Sequence, residues 1–263
     1  MAPEYQNWLL SEEAHVATLT LNRPQVSNSF DTQTLYELRD VTAHLGKQKH
    51  IWAVIVQGQG KHFSMGMDVS VIQERLDQPE QDNREYLLGL QQCLDGFEAL
   101  EKPTIAKLHG FCIGGGLILA LCCDFRIASQ RTIFSLPEVK LGMAVIMGTQ
   151  RITRVAGVAT TKELVLLGKR FNARDAQAYG LVNSVVPPEE LDAAVAALAD
   201  KLLKLPPRTV GIAKRIINEG YNLSMRESQD LEIDAQAELL HSPDFREGLA
   251  SHLEKRPPHF IGE

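Results

Sequence analysis

Three consecutive glycines, Gly114-Gly115-Gly116, separate a short β-prone run, Ile105 to Leu108, from the apolar stretch Leu117 to Cys123. A segment apolar on every side fits a helix buried all round. Strand, glycine turn and buried helix in succession point to a layered α/β core. The turn admits two readings. Backbone N–H groups at a helix start have no intrahelical partner and sit at the positive end of its dipole, so glycines there let an anionic oxygen reach the main chain. The same glycines also permit tight helix–strand packing. A second glycine-bearing turn, Lys61 to Asp68 (KHFSMGMD), shares this ambiguity. Neither turn is a phosphate-binding P-loop or a G-x-G-x-x-G motif.

The rest of the first half alternates strand and helix signals. His15 to Leu21 has the period-2 pattern of a strand, stopped by Asn22-Arg23-Pro24. Asp31 is placed to cap an amphipathic helix carrying Leu35, Leu38, Val41 and Leu45. Trp52 to Val56 fits a buried strand. The polar stretch Val71 to Arg84 is expected to be a mobile loop, followed by a helix to about Leu100. Phe125 to Ala128 and Thr132 to Ser135 fit short strands, as does Leu181 to Val186. Helices are expected over 189–205, 209–220, 227–240 and 244–255. A composition shift between Pro187 and Pro207 marks a boundary, giving a core over residues 1–200 and a helical region over 201–263.

Composition narrows the function classes. With 44% hydrophobic residues the chain has ample apolar material for a core. Its 27 Lys+Arg against 33 Asp+Glu give a net charge of −6, which argues against a nucleic-acid partner. The apolar stretch Ile113 to Cys123 is too short for the roughly 20 residues a membrane span needs. No leader pattern opens the sequence. Cys93, Cys112, Cys122 and Cys123 lack metal-ligand spacing and fit reduced, buried thiols, so a cytoplasmic location and no metal are expected. Asp68 and Asp124 fit caps or packing hydrogen bonds, His62 and His109 structural roles, and Arg151 an internal ion pair.

Several segments together resemble the crotonase superfamily, the enoyl-CoA hydratase/isomerase family. They are VATLTLNRPQVSNSF, WAVIVQGQGKHFSMGMDV, KPTIAKLHGFCIGGGLILALCCDFRIAS, FSLPEVKLG, GTQRITRVAG, FNARDAQAYGLVNSVVP and SPDFREGLASHLEKRPPHF. The resemblance implies an α/β spiral of strand-strand-helix units, with a C-terminal helical region that assembles homotrimers or homohexamers. It implies an acyl-CoA thioester substrate, with coenzyme A part of the substrate and no separate cofactor. It also implies an oxyanion hole made by the N–H groups of Met67 and Gly115. Ser64, Met65, Gly66 and Asp68 from the first turn and Gly114 from the second are expected to line the substrate site. Ile118 and Ile146 are expected there too, and Lys255 and Phe260 are candidates for the nucleotide end of coenzyme A.

The acid/base positions depart from the family's hydratases, which the resemblance credits with two glutamates. The position two residues after the triple glycine is Ile118, and the second position is Glu138 in Leu136-Pro137-Glu138. Ile146 stands where dienone-type isomerases place an aspartate. Gln25 and Val26 stand where the family often has a basic residue. Met143 to Met147 is apolar, which hints at a dry pocket beside Glu138. One glutamate without its partner fits a 3-enoyl-CoA to 2-enoyl-CoA isomerase with Glu138 as the catalytic base. The alternatives are a hydratase or dehydratase using that glutamate, and a CoA-binding scaffold of low activity.

Overall fold

The computed structural model describes residues 4–263. Its N-terminal part is a sheet flanked by helices, built in chain order from β1 (Trp8–Glu13), β2 (Val16–Leu21), α1 (Thr32–Lys47) and β3 (Ala53–Gly58). There follow α2 (Val69–Gln73), α3 (Glu80–Glu98), β4 (Thr104–Leu108), β5 (Phe111–Ile113), α4 (Gly115–Leu121) and β6 (Phe125–Ser129). Next come β7 (Ile133–Ser135), α5 (Thr149–Leu167), β8 (Arg170–Asn172), α6 (Ala173–Ala178) and β9 (Ser184–Val186). The C-terminal helices are α7 (Leu191–Leu202), α8 (Pro207–Gly220), α9 (Met225–Leu239) and α10 (Pro243–Glu254).

The larger sheet has the order β1-β2-β3-β4-β6-β9, antiparallel between β1 and β2 and parallel thereafter. Parallel strands need their faces covered. Accordingly α1 and α3 pack on each other, and α7 packs against β3, β4 and β6. Asp31 caps α1 as its position implies: its carboxylate accepts from Thr34 N–H at 2.8 Å. A smaller sheet, β5-β7-β8, pairs β5 and β7 in parallel with Ile113 opposite Ser135. That register places the triple glycine beside the segment that follows β7.

The stretch expected to be a loop, 71–84, holds the end of α2 and the start of α3, with a turn over 74–79 between them. Asp68 caps α2 by accepting from Ser70 N–H at 3.1 Å. The turn into α3 is closed by a reciprocal pair, Arg75 Nε donating to Asn83 Oδ1 at 3.0 Å and Asn83 Nδ2 donating to Arg75 O at 3.1 Å. Arg75 also stacks over the Tyr86 ring, 4.4 Å from its centroid. The strand expected over 181–186 is confined to Ser184–Val186, because Leu181 and Val182 are buried in the turn after α6. Helix α5 is broken at Gly157, whose φ is +76°. No helix among the described residues is long and apolar enough to cross a membrane.

Candidate active site

The two glycine turns meet. Ser64 N–H donates to Phe111 O at 3.0 Å and Ile113 N–H donates to Ser64 O at 2.9 Å, so the first turn runs along β5. The Ser64 hydroxyl, fully buried, donates to Asn28 O at 2.7 Å and accepts from Gly66 N–H at 3.0 Å. Behind it, a Cβ on Gly116 would lie 2.8 Å from Ser64 Cβ. A Cβ on Gly66, where φ is +86°, would lie 2.7 Å from Gly115 N. Only glycine at these points lets the two backbones touch.

That contact brings two amides close together. A Cβ on Gly115 would lie 3.3 Å from Met67 N. The amides around them are engaged: Gly66 N–H with Ser64 Oγ, Asp68 N–H with Phe30 O at 2.8 Å, and Gly114 N–H with Ser135 O at 2.9 Å. Met67 and Gly115 donate to no backbone carbonyl in turns, loops or caps among the described residues. Both residues line a cavity of about 490 Å³. Gly115 opens α4, so its N–H is one of the donors a helix start leaves free.

Glu138 lines the same cavity. It starts a 3-10 turn, Glu138–Leu141, just after β7, and the β5–β7 pairing carries it over Gly114. Its Oε2 is buried without a hydrogen-bond partner. Burial pushes its carboxyl pKa above the ordinary glutamate value, while its own backbone N–H pulls the other way. Glu138 is the one carboxylate among the described residues lining this cavity. Buried Ile118 lies in the wall, and a Cβ on Gly148 would come within 2.6 Å of Ile118 Cγ1. Met143, Ala144, Ile146 and Met147 continue the apolar wall on that side.

The other expected residues separate into groups. Asp68 is held below the usual carboxylate range by the N–H and hydroxyl of Ser70, which fits a cap and not a base. Met65 is partly exposed beside the turn. Lys255 caps the C-terminal end of α10 with φ +54°, and Phe260 packs near Gly248; neither lines the cavity. His109 Nε2 lies 3.0 Å from Gly60 O, and His62 Nδ1 accepts from Phe111 N–H. The four cysteines are free and buried, with burial pushing the Cys123 thiol up to about 12. Arg151 pairs with Asp95 and Glu98, both at 2.6 Å.

Sequence reasoning did not place the far wall of the cavity, formed by Val71, Ile72 and Leu76 around α2 and by Tyr86, Leu87 and Leu90 on α3. A signal was present: Val69, Ile72 and Leu76 follow Asp68 at spacings of one helical face.

Comparison with known proteins identifies the fold and the family. The sequence pattern of the enoyl-CoA hydratase/isomerase family matches residues 11–263. A crotonyl-CoA hydratase from Syntrophomonas wolfei is 36% identical over 261 residues, covering 98% of this chain and 99% of that protein. A short-chain-enoyl-CoA hydratase from Clostridium acetobutylicum is 34% identical, covering 96% of this chain and 97% of that protein. The crystal structure of an enoyl-CoA hydratase from Bacillus anthracis has a TM-score of 0.90 at 33% identity, covering 98% of this chain and 100% of the other. The fold is thus that of the crotonases, and the chain belongs to the enoyl-CoA hydratase/isomerase family.

Proposed function

We propose that the protein moves the double bond of a 3-enoyl-CoA to the 2-position, with Glu138 carrying the proton. The observation that supports this most is a lone carboxylate, Glu138, in a largely apolar cavity that Ile118, Met67 and Gly115 also line. Removing a proton from C2 of a 3-enoyl thioester leaves a dienolate whose charge gathers on the thioester oxygen. Two N–H donors aimed at that oxygen stabilise the charge as it develops, each contributing about 10²–10³ in rate. Glu138 takes the C2 proton and returns it at C4, so no electrons leave the substrate. The acyl chain lies along the apolar wall, and exclusion of water favours proton return over addition.

A carboxylate raised in pKa by burial is a stronger base once deprotonated. Hydration of a 2-enoyl-CoA is the second reading, favoured by the hydratase names of the relatives. It asks Glu138 alone to hold and activate water, since Ile118 offers no hydrogen bond. Exposed apolar side chains on the C-terminal helices, Ile217, Met225, Ile233, Leu249 and Leu253, support assembly into trimers or hexamers.

The test follows a 3-enoyl-CoA in water labelled with oxygen-18 and deuterium. A 2-enoyl-CoA product without labelled oxygen supports isomerisation. An unreacted 3-enoyl-CoA, beside a separately supplied 2-enoyl-CoA that takes up labelled oxygen at C3, overturns it in favour of hydration.

A further inference from the structure

We infer that the acyl group this site takes is a medium-length chain of about eight to twelve carbons, measured by the α2–α3 segment. The inference rests on the reading above that the cavity holds the acyl group of a thioester. Two independent dimensions carry it. The first is volume: about 490 Å³, at roughly 30 Å³ per water-sized group, holds about 16 heavy atoms. The second is length. The lining residues on α3 run from Asn83 through Leu90 to Leu94, three turns or about 16 Å at ~1.5 Å per residue. An extended chain advances ~3.4 Å for every three bonds, so about 14 bonds span that wall. Less the thioester's sulfur and oxygen, about 14 carbons are the most the cavity holds, so the stated range fills it without crowding.

The chemistry of the wall agrees with its size. Ile72 and Leu76 from the α2 segment and Leu87 and Leu90 from α3 all line the cavity. Arg75, Asn83 and Tyr86, joined to one another by hydrogen bonding and stacking, tie the α2 segment to the start of α3. A four-carbon acyl group would fill only the thioester end and leave this apolar wall to water. Two of the relatives carry names for short acyl groups, so the inference separates this chain from them.

The test uses saturated acyl-CoA thioesters of four, eight and twelve carbons, which neither isomerase nor hydratase chemistry turns over. Calorimetry should show affinity rising toward eight carbons, by up to about fourfold per methylene, the ~0.8 kcal/mol of a buried methylene. Leu87→Trp on α3 and, separately, Ile72→Trp on α2 should each lower the twelve-to-four-carbon affinity ratio at least tenfold. A flat or falling series in the wild type overturns the inference, as does an unchanged ratio in both folded variants. If affinity rises with length but no 3-enoyl-CoA is isomerised, the length assignment stands and the reaction assigned above falls.

Discussion

Oε1 of Glu138 lies 2.7 Å from the point that a Cβ on Gly114 would occupy, and Gly114 holds φ +51°. The carboxylate therefore rests against bare backbone, one residue before the Gly115 amide. Gly114→Ala removes that clearance and strains the backbone, a cost of about 1–3 kcal/mol. The carboxylate has to move, and a displacement of about 1 Å from a reacting carbon costs on the order of 10²-fold in rate. We expect kcat to fall by that factor while the melting temperature drops by several degrees. A folded alanine variant with wild-type turnover would show that the carboxylate position does not matter.

Glu138→Gln keeps the shape of the side chain and removes the base. Turnover of 3-enoyl-CoA is expected to fall by about 10²–10⁴-fold, the usual contribution of a positioned base. Because Met67 and Gly115 are untouched, affinity for a saturated acyl-CoA should change little. Equal losses in affinity and turnover would instead mean that Glu138 holds the site together.

The pH dependence has a definite sign. Glu138 works as a base only when ionised, and burial raises its pKa. Thus kcat/KM should fall with acidification, with a midpoint above the ordinary glutamate value, and the profile should flatten in Glu138→Gln. Stability runs the other way. Between the unfolded and the raised folded pKa the native state binds more protons, so stability falls as pH rises through that window. At neutral pH Glu138→Gln should therefore melt at a higher temperature than wild type, with the difference vanishing at acid pH below the unfolded value. A midpoint at or below the ordinary value would show that solvent reaches the carboxylate.

Much of this site is legible in the chain because its parts are backbone features written as glycines. Gly66 and Gly114-Gly115-Gly116 mark where two main chains and a carboxylate approach one another, and at Gly66, Gly114 and Gly116 a Cβ would fall within 2.8 Å of a neighbouring atom. The amphipathic α1 and its Asp31 cap are equally visible, since the cap and the apolar stripe agree. The wall around α2 and α3 is less legible for a physical reason. Leu76 and Leu87 are exposed at 73% and 38%, and charged residues surround them. Their stripe faces a cavity and not a packed core, so hydrophobic periodicity there is thin. Strands β5 and β8, at three residues each, are too short to show alternation. In β1 the residues past Trp8 are mostly exposed, which hides its pattern.

A fourth expectation concerns how the C-terminal helices are held to the core. Lys214 on α8 is 8% exposed and pairs with Asp124 at 2.9 Å, and Asp124 also accepts from the Thr104 N–H and hydroxyl. Asp124→Ala leaves a buried ammonium without its carboxylate. Breaking such a pair costs about 3–5 kcal/mol, and the partial exposure of Asp124 places the loss at the low end. Lys214→Met combined with Asp124→Asn should recover part of it. Denaturant unfolding checks both; a single variant as stable as wild type would show that water already screens the pair.

Ile118→Glu tests the choice between isomerisation and hydration most directly. Glutamate is close to isoleucine in volume, and Gly148, which leaves space against Ile118 Cγ1, accommodates the same girth. The new carboxyl would share the cavity with Glu138, and two acids in an apolar site do not both ionise readily. One stays protonated and can donate to a water that the other activates, the division of labour that water addition requires. We expect formation of 3-hydroxyacyl-CoA from a 2-enoyl-CoA to rise by about 10²-fold over the parent. The isomerase rate should fall, because the added polarity admits water and because the charge on Glu138 now has a competitor. If the folded variant gains no hydration, or if the parent already hydrates at the variant's rate, Ile118 does not decide which reaction this site performs.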